Sequence, residues 1–182
     1  HGLQINSFGN ASIRYKDKCL IKPSGANLKK INFSDISVVN IMSKKLISGK
    51  KPSVDLDTHL TIYKNFSNIN SIVHTHSLYA TSWAQSKRPI PCYGTTHADY
   101  YFKQIPITKP LGSKQIKKKY EYETGKSIVK KIKNLKMNPI NIPGILVANH
   151  GVFAWGISSK DALKNAPQKD SDYFKVPTVL KK

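Results

Sequence analysis

Ser71-Ile72-Val73-His74-Thr75-His76 opens as a short apolar, β-branched run and closes on two imidazoles. Such a run reads as a buried strand. In a strand, residues i and i+2 project from one face, so His74 and His76 point the same way and Thr75 the other. Two imidazoles side by side at a strand end can hold one zinc ion. The plainer alternative is two polar residues at a sheet edge. Further ligands are on offer in His150, within Val147-Ala148-Asn149-His150-Gly151, and in Asp55, within Pro52-Ser53-Val54-Asp55. Three His with an open coordination position is a catalytic pattern, because structural zinc sites are usually closed by thiolates.

The 182 residues suffice for one domain with a core of its own. No apolar run approaches the roughly 20 residues of a membrane span. The chain begins His1-Gly2-Leu3, without Met, which leads us to expect an incomplete N-terminus. A net charge of +20 invites a nucleic-acid reading. Of the 30 basic residues, however, only Arg14 and Arg88 are arginine, the residue preferred for bidentate phosphate and base recognition. The lysines are spread along the chain among Ile and Asn, which looks like a compositional bias, so no specific nucleic-acid partner and no membrane partner is expected. Their one dense region, residues 114–136, reads as a solvated helix face. Cys19 and Cys92 are far apart and form no CxxC, which fits a reducing, cytoplasmic setting.

Taken in order, Ser7-Phe8-Gly9-Asn10-Ala11-Ser12 places a turn-permitting glycine before an amide able to bond a ligand or its own backbone. Residues 12–15 and 19–22 read as a hairpin around Lys16-Asp17-Lys18. Lys22-Pro23-Ser24-Gly25 puts a lysine, a hydroxyl and a glycine on one turn, which is either an anion cradle or a plain turn. Strands are expected at 36–41 and 46–47. A helix is expected over 53–66, with Ser53 and Asp55 at its anion-favouring start and Leu56, Leu60 and Tyr63 at helical spacing. Asp55 could equally be a simple cap, and His59, one turn later, reads as structural. Further helices are expected at 77–85 and over the basic 114–135 segment. Between them, Tyr93-Gly94-Thr95-Thr96-His97-Ala98-Asp99-Tyr100 brings a carboxylate and an imidazole together, which suits proton transfer. Strands at 145–148 and 152–156 precede a last helix, capped by Ser158 or Ser159 and stopped by Pro167.

These pieces in this order resemble the class II aldolase/adducin family, over about Leu3 to Ala166. The carrying motifs are Phe8-Gly9-Asn10-Ala11-Ser12, Ile21-Lys22-Pro23-Ser24-Gly25, Lys51-Pro52-Ser53-Val54-Asp55, Ile72-Val73-His74-Thr75-His76, Gly94-Thr95-Thr96-His97-Ala98-Asp99-Tyr100, Tyr120-Glu121-Tyr122-Glu123-Thr124-Gly125, and Asn149-His150-Gly151 with Phe153-Ala154-Trp155-Gly156. The resemblance implies a three-layer α/β/α fold around a mixed, mainly antiparallel sheet. It implies one zinc per subunit on His74, His76 and His150, with Asp55 as a further ligand. Gly9, Asn10, Lys22, Ser24, Gly25, Ser53 and Val54 would hold a phosphorylated pentulose, with Thr95 close by. Asp99 would be the catalytic acid/base, lent across a subunit interface in a homotetramer. Asp at position 55 and the form of the 94–100 segment are those of the family's epimerases; its aldolases carry Glu at the former. The implied activity is conversion of L-ribulose 5-phosphate to D-xylulose 5-phosphate by C3–C4 retro-aldol cleavage and re-addition, with sugar-phosphate aldolase activity as the alternative.

The chain departs from the family at three places, the first being the family's N-terminal helix, which has no counterpart here. Val54 stands where the family has a second Ser, which removes one phosphate contact. The family's second acid/base group, a Tyr in its C-terminal helical segment, has no match, and nothing aligns Tyr173 with it. Residues 1–166 are therefore expected to form the catalytic domain and 167–182 a divergent, poorly ordered tail, of the sort a frameshift or premature stop would leave. A product that keeps zinc but has little activity is the corresponding alternative.

Overall fold

A computed structural model describes residues 9–27 and 30–167; the expectation for the tail falls almost wholly outside them. One seven-stranded sheet organises the molecule: β1 (Asn10–Tyr15), β2 (Lys18–Ile21), β3 (Ser37–Asn40), β4 (Leu46–Ser48), β5 (Ser71–Thr75), β6 (Gly144–Leu146) and β7 (Val152–Gly156), in the spatial order β4-β3-β2-β1-β5-β7-β6. Every pairing between these strands is antiparallel. The parallel component is an isolated bridge between Ile107 and Leu146. The helices are α1 (Leu56–Asn65), α2 (Leu78–Gln85), α3 (Thr95–Ala98), α4 (Ser113–Asn134) and α5 (Ser159–Asn165).

The two sheet faces are built differently. On one, Ile72, Phe153 and Trp155 are fully buried and pack with Leu60 and Ile62 of α1 and Ile128 and Ile132 of α4. On the other, Val73 and Ala154 meet Ala162 and Ala166 at α5. Small residues let that helix lie close: a Cβ on Gly156 would stand 2.5 Å from that of Asp161. Helices on both faces of the sheet give the expected three-layer α/β/α architecture.

Local chemistry accounts for most boundaries. Lys16, at φ 55°, turns the β1–β2 hairpin. Ser158 caps α5, its hydroxyl accepting from the Asp161 amide at 3.2 Å. The helix expected from residue 53 begins at Leu56, because the Ser53 and Ser24 amides are drawn into bonds that tie the 22–25 and 51–53 turns together. The basic helix is a solvated face, with buried Ile128, Val129 and Ile132 on its inner side. It is also broken: Lys119 (φ −156°, ψ 66°) kinks α4, and the Thr58 hydroxyl donates to the Glu121 carbonyl just beyond the break at 2.6 Å.

Candidate metal centre and its pocket

β5 delivers His74, and His76 follows at its end. Register does the rest: His74 lies opposite Asn10 of β1 and Phe153 of β7. The His74 ring stacks on Phe153, centroids 4.1 Å apart and 13° from parallel. Its Nδ1–H donates to the Val152 carbonyl at 2.9 Å, which leaves the Nε2 lone pair for a ligand. His150 arrives from the loop between β6 and β7. That loop closes through the Val147 amide on the Gly151 carbonyl (2.8 Å) and the His150 amide on the Val147 carbonyl (3.0 Å), with Asn149 at φ 64°. Gly151 is required by close approach: a Cβ there would stand 2.8 Å from the Thr75 carbonyl and 2.9 Å from His76 Cδ2.

One nitrogen from each of His74, His76 and His150 lies within 4.8 Å of the others, and the Nε2 atoms of His74 and His76 are 3.0 Å apart. Metal–imidazole bonds of about 2.0–2.1 Å in tetrahedral geometry set ligand nitrogens about 3.3 Å apart, so the triad has the scale of a metal site. The surroundings of His74 and His150 also fit. Burial pushes His74 well below the usual imidazole range, with His150 adding to the effect. His150 is lowered by burial too, opposed by the charge of Asp55. Neutral imidazoles are ligand-ready.

The triad borders a pocket of about 290 Å³. Gly9, Asn10, Lys22, Ser24, Gly25, Ser53, Val54 and Asp55, all expected from the sequence, line it beside the three His. Asp55 occupies the N-cap position of α1 but does not cap with its side chain; instead Oδ2 accepts from Asn10 Nδ2 at 2.7 Å. It stands outside the tight three-nitrogen cluster. Lys22 is buried, and burial lowers its pKa against the pull of Asp55.

Thr95 and Asp99 do not line this pocket and are exposed on α3 and at its end. Tyr120 and Glu121 do line it, with no role assigned to them from the sequence. The kink at Lys119 brings them there, and the Tyr120 ring lies 5.7 Å from that of His150. A backbone break inside a continuous helical pattern leaves no mark in periodicity.

The sheet, its helices and the triad define a member of a known class. The model of the Class II Aldolase and Adducin N-terminal domain matches residues 1–168, and the chain belongs to that family. L-ribulose-5-phosphate 4-epimerase UlaF of Salmonella paratyphi C (strain RKS4594) is 40% identical over 168 residues, 91% of this chain and 73% of the relative. Its counterpart in Salmonella choleraesuis (strain SC-B67) matches to the same extent. An L-fuculose 1-phosphate aldolase structure superposes with a TM-score of 0.72 at 25% identity, covering 89% of this chain and 71% of that one. YgbL from Klebsiella pneumoniae gives 0.68 at 26%, covering 90% and 75%. The chain is an epimerase-like enzyme of this family. No helix among the described residues is long and apolar enough to cross a membrane.

Proposed function

We propose that the protein is a zinc-dependent 4-epimerase interconverting L-ribulose 5-phosphate and D-xylulose 5-phosphate. The observation that carries this reading is the convergence of His74, His76 and His150 on a pocket that also holds Asp55, Asn10 and Lys22. The 40% identity to named epimerases supports it. Zinc on the triad, with Asp55 as a further ligand, would supply a Lewis acid that polarises the substrate carbonyl. The chain's own residues do the remainder. Lys22, Ser24, Gly25, Ser53 and the Val54 backbone form the anion cradle for the phosphate. Gly9 and Asn10 border the sugar, and the Asn10 amide orients Asp55 through its 2.7 Å bond.

The C4 hydroxyl loses its proton, the C3–C4 bond breaks, and the aldehyde half turns over. Re-attack on its other face restores the bond with C4 inverted. A proton must be handled on each face, and Asp99 serves as one of the two groups, with Thr95 beside it. Asp99 lies away from its own triad, so it acts in the pocket of a neighbouring subunit, within a cytoplasmic homotetramer. The exposed Tyr93 and Phe102 flanking this segment support a covered face there.

The test is a coupled assay for D-xylulose 5-phosphate on zinc-loaded protein, beside His76→Ala. Epimer formation that His76→Ala abolishes is expected. Release of dihydroxyacetone and glycolaldehyde phosphate without epimer would make the protein an aldolase instead, the reading its likeness to the fuculose-phosphate enzyme favours.

A further inference from the structure

α1 is fastened to β1 by a row of polar contacts that starts at the pocket and runs away from it. Asn10, Ser12 and Arg14 share one face of β1. Asp55, His59 and Tyr63 are spaced i, i+4, i+8 along the start and length of α1. Two strand residues advance about 6.8 Å and four helical residues about 6 Å, so the two rows stay in step. The first rung joins Asn10 Nδ2 to Asp55 Oδ2 at 2.7 Å. The second joins Ser12 Oγ to His59 Nδ1 at 2.7 Å, and the same hydroxyl reaches the Tyr63 hydroxyl at 2.8 Å. At the third, the Arg14 guanidinium lies 4.7 Å over the Tyr63 ring and donates to the Tyr63 and Phe66 carbonyls.

The middle rung is a shared junction. Ser12 Oγ bonds both His59 Nδ1 and the Tyr63 hydroxyl, with the Cys19 thiol also bonded to it, and the Tyr63 hydroxyl is bonded by the Ile72 backbone as well. His59 Nε2 is buried without a partner among the described residues. The His59 side chain is wholly buried, and its ring meets the edge of Phe153, on which His74 stacks.

We propose that His59 is a positioning residue for the metal centre, holding α1 on β1 through Ser12 so that Asp55 stands at the mouth of the triad. This rests on reading the triad as a metal site. A merely structural rung would change stability alone, whereas a positioning rung changes how folded protein binds metal.

Cobalt(II) binding to the full chain, followed by chelator competition and by its visible absorption, separates the two. Ser12→Ala, which cuts the rung without touching the pocket, is expected to bind cobalt at least tenfold more weakly, with an altered spectrum, in protein that is folded by circular dichroism. His59→Leu should lose as much. His59→Asn keeps an amide, able to accept or donate, near the position of Nδ1 and should recover most of the affinity. Wild-type affinity and spectrum in folded Ser12→Ala would overturn the proposal. Should that variant not fold, His59→Asn binding no better than His59→Leu would do the same. Failure of the unaltered protein to bind cobalt would overturn the metal reading itself.

Discussion

His59 ties folding to pH as well as to the site. Burial holds its pKa down to about 3, against an ordinary imidazole value of 6.5. The unfolded chain therefore takes up a proton near pH 6.5 that the folded chain refuses until about pH 3. The stability from a neutral His59 is full above pH 6.5 and is lost as pH falls between those values. From pH 7 to pH 5 the loss from this one group is about 2 kcal/mol. His74 and His150 are displaced in the same direction and add to it. Metal-free protein should thus unfold at a lower urea concentration at pH 5 than at pH 7, and His59→Asn should flatten that dependence. An unfolding midpoint that stays level across this range would show that His59 is charged, or solvated, in the folded protein.

At the scale of elements, the decisive contact is between α1 and α4. A Cβ on Gly125 would lie 2.7 Å from the Thr61 Cβ, which belongs to a packed helix and not to a flexible tip. Gly125→Ala gains about 1 kcal/mol of helix propensity, yet it must push α4 off α1, an overpacking cost of about 1–3 kcal/mol. We expect a net loss of stability in urea unfolding, together with weaker cobalt binding, since Tyr120 and Glu121 ride on the same helix. A stabilised variant would mean that the two helices separate freely. This element also shows how far the sequence could be read. The apolar spacing of Ile128, Val129, Ile132 and Leu135 announced the helix, and the β-branched run before His74 announced its strand. The motifs around Gly9, Lys22, Ser53 and His150 announced the residues that line the pocket. The kink at Lys119 was not legible, because a single residue's φ and ψ leave the apolar pattern intact. Nor was the Ser12–His59 rung, whose partners are 47 residues apart. Periodicity shows which face of an element is buried and says nothing of which polar residue awaits it there.

For the whole molecule the governing quantity is charge. A formal +20 over 182 residues is opposed by few attractive contacts. Among the described residues the ion pairs are Lys44–Asp57, Lys50–Asp35 and Lys126–Glu123, each with a solvent-exposed lysine. Such pairs are worth about 0–1 kcal/mol each. Repulsion among the remaining lysines acts at longer range. A compact chain of this length has a radius of gyration of about 16 Å. The Debye length is about 30 Å at 10 mM salt, so every lysine then feels most of the others; at 150 mM it is about 8 Å, and only near neighbours interact. Added salt therefore removes more repulsion than attraction. The thermal midpoint should rise between 10 and 150 mM sodium chloride in metal-free protein, opposite to the fall expected of a fold held by surface ion pairs. Chloride is the salt to use, because an oxyanion could also occupy the cradle at Lys22 and stabilise by binding. A midpoint that falls would mean that the three pairs, weak singly, outweigh the net charge. The lysine excess would then be energetically silent, in keeping with a bias of composition and not with a surface shaped for a polyanion.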